Sequence, residues 1–219
     1  MSGRFITFEG GEGAGKSTQI KALAAYLTGQ GIPVMTTREP GGSAGAEEIR
    51  KLLVSGATDR WGAMTEVLLH YAARRDHLSR TILPALKAGT WVLSDRYADS
   101  TLAYQGYGLG IDAESIRRLH RLVIGAFKPD LTLILDLPVR AGLGRAAIRD
   151  GALEGGQGGE DRYERMDTGF HERLRQGFLD IAAKEPKRCQ IIDATGDAEA
   201  VAEAVVAAVE RRLGAAGHG

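Results

Sequence analysis

The sequence predicts an α/β layered fold, and three observations carry that prediction. Five short runs are apolar and rich in residues that favour strands. Longer stretches with helical patterning lie between them. Several of the short runs are apolar on both faces, as the strands of a buried parallel sheet must be. In chain order the strand candidates are Arg4–Glu9 (RFITFE), Pro33–Thr37 (PVMTT), Trp91–Ser94 (WVLS), Leu131–Leu137 (LTLILDL) and Cys189–Asp193 (CQIID). The helical stretches include KSTQIKALAAYL from Lys16, TEVLLHYAARRDHLSRTILPALKA from Thr65 and AESIRRLHRLVIGAF from Ala113. No internal repeat is visible.

A chain of 219 residues suits one domain with a modest insertion, expected here over residues 1–213, with a frayed tail at 214–219. The 28 basic and 28 acidic side chains cancel, so bulk charge gives no reason to expect nucleic acid or a membrane surface as partner. No segment approaches the roughly 20 apolar residues of a membrane span, and no signal-peptide pattern opens the chain. Cys189 is the one cysteine, which excludes an internal disulfide framework and a multi-cysteine zinc site within one chain. It sits in a strand-like run, where a buried inert thiol is expected. A reducing compartment, the cytoplasm, is the natural location.

One stretch stands apart, Arg149–Asp167 (RDGALEGGQGGEDRYERMD), glycine-rich, charged and poor in large apolar residues. It reads either as a disordered surface loop or as a mobile lid, at about 149–166, carrying arginines over a site. A lid must open and close, so a large buried anchor is not expected in it.

The strongest motif follows the first strand. Gly10, Gly11, Glu12, Gly13, Ala14, Gly15, Lys16 and Ser17 match the phosphate-loop pattern G-x-x-x-x-G-K-S/T, with Thr18 next. Such a loop points its backbone N–H groups inward around a polyphosphate, which needs unusual dihedrals and no intruding side chains. The helix opening after Gly15 adds the positive potential of its unpaired N–H groups. Lys16 reaches the outer phosphates, and the Ser17 hydroxyl can ligate Mg²⁺. A strand before the loop and a helix after it are the context that the motif requires. The chain has no asparagine, so the guanine-reading motif N-K-x-D cannot be present. Arg38 and Arg96 each follow a strand candidate, and in a parallel sheet the ligand crevice lies at the carboxyl ends of the strands. Gly10, Arg38 and Asp95–Arg96 are therefore expected on one edge.

FEGGEGAGKSTQ, TREPGG, YAAR, SDRYADSTLAYQG and KPDLTLILD, in that order, resemble the bacterial thymidylate kinase family over nearly the whole chain. The resemblance implies a three-layer P-loop NTPase fold with a five-stranded parallel sheet surrounded by helices. It implies transfer of the ATP γ-phosphoryl group to dTMP with Mg²⁺, and a homodimer. Arg38 and Arg96 would hold the acceptor phosphate, and Arg74 would bond the thymine carbonyl. Ser100, Thr101 and Gln105 would line the base pocket, with Tyr104 beneath the deoxyribose. Glu12 would accept from the sugar 3′-hydroxyl, unless it is simply a solvated loop carboxylate. Asp95 would orient Mg²⁺ through water; Asp136, ending another strand, could do so or serve a structural role.

Family members carry the mobile arginine either in the phosphate loop or on the lid. Gly13 holds the loop position here, so the chain looks like the lid type, with Arg149 as the transition-state cation and Arg145 near the ATP base or phosphates. Where the family has a phenylalanine stacking on thymine, this chain reads LLHYAAR, placing His70 there. Imidazole can stack, and it would titrate near its reference pKa of about 6.5; alternatively Tyr71 or Leu69 fills the pocket. The lid is longer and richer in glycine than the family's compact version, and Arg162 is left without a role. A kinase for another nucleotide or a deoxynucleoside, and more remotely an ATP-dependent switch, share the phosphate loop.

Overall fold

The computed structural model of the chain describes residues 3–151 and 162–214, the side chains of 149–151 excepted. Its five strands are β1 (Phe5–Glu9), β2 (Val34–Arg38), β3 (Trp91–Asp95), β4 (Leu131–Asp136) and β5 (Cys189–Asp193). They form one sheet in the order β2-β3-β1-β4-β5, and every neighbouring pair is parallel. β1 is central and buried at all five positions, enclosing Thr7 and Glu9 as well as Phe5, Ile6 and Phe8. β2 and β5 are the edges and are partly exposed. Parallel strands need crossovers, and the helical stretches supply them.

Those crossovers make three layers. Ile6, Phe8, Leu93 and Leu133 point to one face and pack on α1 (Lys16–Gly29) and α9 (Ala198–Leu213). Phe5 and Val92 point to the other face and meet Val67 and Tyr71 of α3 (Ala63–His77) and Ile116 of α6 (Ala113–Val123). α8 (Thr168–Lys184) covers Ile134 on that same face. α2 (Ala44–Val54) lies against α3, and α7 (Val139–Gly151) leads to the residues beyond 151. Among the described residues, no helix is long and apolar enough to cross a membrane.

The helical stretch from Thr65 is interrupted where sequence patterning suggested continuity, and a second π-helical segment lies beyond β3. After α3 the chain makes a π-helical turn, Leu78–Ile82, before the short α4 (Leu83–Lys87). Pro84 sits in the first turn of α4 and has no N–H to continue an α-helical ladder, while the Leu83 N–H reaches back five residues to Leu78. Beyond β3, the four-residue α5 (Ala98–Thr101) passes into a π-helical segment, Leu102–Gly108, closed by Leu109 N–H on Tyr104 O at 2.9 Å. That segment carries Tyr104 and Gln105, and α8 crosses it closely. A Cβ at Gly108 would stand 2.4 Å from the Phe170 ring, and one at Gly177 would stand 2.7 Å from Tyr107.

The stretch read as a lid departs from its expectation at both described ends. Arg149 lies within α7, and Arg162, at the other end, is almost wholly buried. A buried arginine anchors its segment, so the part from Arg162 onward is fixed to the body; residues 152–161 lie outside the described residues. At the carboxyl end, Arg211–Leu213 belong to α9, with Arg212 bonded to Lys187 O and Pro186 O; of the tail expected to fray, 215–219 lie outside the described residues.

Phe170 is fully buried beneath Tyr104, and its replacement leaves a void at the crossing of α8 with the segment that bears the site. Phe170→Ala should cost about 3–5 kcal/mol in urea unfolding, and a loss below about 1 kcal/mol would show that this crossing is not tightly packed.

Candidate active site

Sheet register gathers the polar ends of three strands. Arg38 at the end of β2 is level with Asp95 at the end of β3, and Asp95 is level with Phe8 beside Glu9 on β1. β1 is also where the crossovers change direction, which is where such sheets bind ligands. A cleft of about 800 Å³ opens there, within the size range of small-molecule sites. Residues Glu12 through Thr18 line it together with Arg38, His70, Arg74, Asp95, Arg96, Ser100, Thr101, Tyr104, Gln105 and Arg145. Gly10 and Gly11 form the back of the loop, and the side chain of Arg149 lies outside the described ones; of the other nominated groups, Asp136, Leu69 and Tyr71 do not line the cleft.

The glycines of the loop are explained by contact as well as by dihedral. Gly10 has φ 130°, and a Cβ there would stand 2.4 Å from Leu135 O. Gly13 has φ 66°, and its Cβ would stand 2.0 Å from Gly142 O in the first turn of α7. No side chain fits at Gly13 while α7 is so placed, which gives a steric reason for an arginine to be absent from the loop. Lys16 is buried, and its Nζ donates to Gly11 O at 2.8 Å and Gly10 O at 3.3 Å. Burial and the neighbouring Arg96 charge press its pKa downward, while Glu12 and Asp95 oppose them. The Ser17 hydroxyl lies 3.4 Å from an Asp95 carboxylate oxygen. A hydroxyl and a carboxylate so close are hard oxygen donors suited to Mg²⁺.

Arg96 joins the two halves of the cleft. It is the one described residue other than glycine with a positive φ, 68°. Its Nη1 donates to Gly10 O at 2.9 Å and Ser100 Oγ at 3.3 Å, and Nη2 to Glu12 Oε1 at 3.0 Å. The guanidinium also sits 4.9 Å above the Tyr104 ring. Glu12 accepts the Tyr104 hydroxyl at 2.5 Å as well, so it is a partly buried, paired group and not a solvated loop carboxylate. Burial would push its pKa up, but Arg96, Lys16 and Tyr104 outweigh that and hold it at about 2. The Ser100 hydroxyl donates to Glu9 at 2.5 Å and accepts from Arg96, which ties it to the strand end. Glu9 also accepts Tyr97 N–H at 2.8 Å; burial, then the Asp99 charge, raises its pKa to about 8.

Arg74 lies deeper. Its Nε donates to Glu39 at 2.7 Å, and Nη2 to Tyr97 O and Thr101 Oγ1 at 3.0 Å each, leaving Nη1 buried without a partner. Gln105 donates through Nε2 to Glu66 at 3.0 Å, and its Oε1 is likewise buried and unpartnered. A lone donor and a lone acceptor in one cleft await a ligand with the opposite pattern. Arg38 is exposed and pairs with Glu47 at 3.1 Å. Arg145 donates to Ala194 O at 3.1 Å and Thr195 O at 3.5 Å, holding the turn after β5 at the rim of the cleft. Asp136, by contrast, is clamped by both nitrogens of an Arg175 fork at 2.7 and 2.9 Å, which settles it as a structural strand-end group.

Comparison with known proteins agrees with this geometry. A family model described as thymidylate kinase matches residues 8–205. The chain is 55% identical over 212 residues to a thymidylate kinase of Caulobacter vibrioides, covering 97% of this chain and 98% of that one. It is 54% identical to one from a Bradyrhizobium strain, covering 96% of this chain and 91% of the relative. A crystal structure of thymidylate kinase from Ehrlichia chaffeensis superposes with a TM-score of 0.75 at 36% identity, covering 95% of this chain and 99% of that one. The chain belongs to the thymidylate kinase family. It is an enzyme, a nucleoside monophosphate kinase that phosphorylates dTMP.

Several residues in and behind the cleft escaped sequence reading. Arg50 lines it and donates to Pro40 O at 2.7 Å. Glu39 pins Arg74 and also bonds His77 Nδ1 at 3.0 Å; its place right after Arg38 in TREPGG was the available signal. Glu66 and Tyr163, which enclose Gln105 and His70, had no local signal, because their meeting depends on tertiary packing.

His70 requires one correction. Of the three candidates, His70 lines the cleft, whereas Tyr71 is buried against α6. Its expected titration near 6.5 does not hold: burial first, then the Arg74 and Arg162 charges, press its pKa down to about 3. His70 is therefore neutral throughout the working range. The ratio of dTMP dissociation constants between wild type and His70→Phe should stay constant from about pH 5.5 to 8, which calorimetric titration at each pH would read. A ratio that climbs steeply below about pH 6.5 would mean that the imidazole gains its proton in that range.

Proposed function

We propose that the cleft binds ATP by the phosphate loop and dTMP by the arginines opposite, and that Arg96 aligns the two. What carries this reading is the placement of the Arg96 guanidinium, which touches the phosphate loop, Ser100 and Glu12 at once. Lys16 now donates to loop carbonyls, and the outer phosphates of ATP would take their place. Arg38 and Arg96 would hold the dTMP phosphate, since a guanidinium fork matches phosphate oxygens and stays charged. Arg74 Nη1 would donate to the thymine O4, Glu12 would accept from the sugar 3′-hydroxyl, and His70 would stack on the base.

In the reaction an oxygen of the dTMP phosphate attacks the γ-phosphorus of ATP. A new P–O bond forms, the bond to the β-phosphate oxygen breaks, and ADP leaves. The attacking oxygen is already anionic near pH 7, so no side chain need remove a proton. The protein's work is alignment and neutralisation of the charge spread over the transferring group. Ser17 and Asp95 would hold Mg²⁺ at the phosphates, directly and through water; when bound, it neutralises phosphate charge. Arg149, on the α7 helix that also carries Arg145, would supply the transition-state cation. We read residues 1–213 as one catalytic domain. The half-exposed Met64 and Leu68 on α3 support a homodimer through that face, and a single buried cysteine suits the cytoplasm.

A coupled ADP-release assay with dTMP, dUMP, thymidine, CMP and AMP should show the highest kcat/KM for dTMP and no turnover of thymidine, which lacks the accepting phosphate. A higher kcat/KM for another acceptor would contradict the reading. Arg149→Ala should lower kcat by about 10³ while the dTMP dissociation constant barely moves; equal losses in both would place Arg149 in the acceptor pocket instead.

A further inference from the structure

Glu66 on α3 is almost wholly buried, yet it is not among the cleft-lining residues. Three donors converge on its carboxylate. Arg162 Nη2 makes a close ion pair with Oε1, while Oε2 accepts Tyr163 OH at 2.9 Å and Gln105 Nε2 at 3.0 Å. Arg162 is fixed from its other side by main-chain carbonyls, with Nε on Ala57 O at 2.8 Å, Nη2 on Thr58 O at 2.7 Å and Nη1 on Leu53 O at 3.3 Å. Tyr163 completes the ring by accepting from Gln105 Nε2 at 3.2 Å.

The chemistry of this cluster leaves Gln105 one orientation. A carboxylate has no hydrogen to give, so only the amide nitrogen of Gln105 can face it. The amide oxygen must then point the other way, and it is this oxygen that is buried with no partner. Arg74 contributes the complementary lone donor, Nη1, to the same cleft. One acceptor and one donor match the N3–H and O4 of thymine or uracil. Cytosine presents the opposite pattern, an N3 acceptor and an N4 donor, and would leave both protein groups unpaired.

We propose that Glu66, oriented by Arg162, is a specificity-determining positioning residue that sets the Gln105 amide so that the pocket reads the imide edge of the base. Neither residue touches the substrate; both act through Gln105. The inference rests on dTMP being the acceptor.

The decisive variant is Glu66→Gln. Arg162 can accept nothing, so the new amide must turn its oxygen to Arg162 and its nitrogen to Gln105. Gln105 then flips, and its NH₂ replaces its oxygen in the pocket. Steady-state kinetics with dTMP, dUMP and dCMP should show the dTMP-to-dCMP preference in kcat/KM falling about tenfold or more, the loss of roughly one matched hydrogen bond. The dTMP-to-dUMP preference should stay at its wild-type value, because those bases share the imide edge. A merely structural loosening would lower all three together and leave both ratios unchanged, which would overturn the proposal. Should Glu66→Gln not fold, Gln105→Leu removes the reader itself. The dTMP-to-dCMP preference should then fall likewise, and its persistence would overturn the proposal. A wild-type enzyme that turns over dTMP while either variant keeps the wild-type ratio sinks this inference alone; one that fails on dTMP sinks the acceptor reading and this with it.

Discussion

The structure of the cleft depends on where one guanidinium is held. Arg96 leaves the end of β3 in a left-handed backbone conformation that a side chain larger than glycine adopts at a cost. The turn sends its side chain back across the sheet edge to the phosphate loop, where Gly10 O receives it at 2.9 Å. From that point the same guanidinium reaches Glu12 and Ser100. The phosphate loop and the helix that carries Ser100 are thereby placed in register by a single side chain. Stored backbone strain of this kind persists where surrounding contacts over-determine it, and here Gly10 O, Glu12, Ser100 and the Tyr104 ring do so.

In and around the cleft a rule repeats, in which each arginine that is wholly or largely enclosed has its own carboxylate. Arg74 has Glu39, Arg162 has Glu66, and Arg188 clasps Asp99 at 2.6 and 3.0 Å. Burying such pairs brings little net stability, but removing one partner leaves an uncompensated charge that costs about 3–5 kcal/mol. The pairs therefore act chiefly as fixed geometry. Glu9 is the exception, since its two donors are neutral and burial dominates its titration. Cys189 shows the same force on a thiol, with burial pushing it up to about 12 and leaving it protonated and inert.

Much of this was legible in the sequence because the relevant signals are local. Phosphate-loop glycines, strand ends followed by Arg38 and Asp95–Arg96, and apolar runs two faces deep are all read within a few residues. What escaped depends on contacts between distant segments. Arg162 follows a glycine-rich stretch and has no role legible in sequence, yet it is sealed beneath the turn after α2. Glu66 lies 39 residues from Gln105 and 96 from Arg162, so no spacing rule connects them. The π-helical turns were hidden for a different reason: Pro84 marks one, but a proline in a helical pattern also permits a simple kink or stop. His70 lines the cleft, whereas its titration depended on cations that only the fold brings near.

A crystal structure with dTMP and a non-hydrolysable ATP analogue tests the central claim most directly. Arg96 should lie within hydrogen-bond distance of the dTMP phosphate while keeping its contact with the phosphate loop, and Lys16 should have exchanged loop carbonyls for the outer phosphates of the analogue. A dTMP phosphate bound out of reach of Arg96, with that guanidinium still closed on Glu12, would contradict the account.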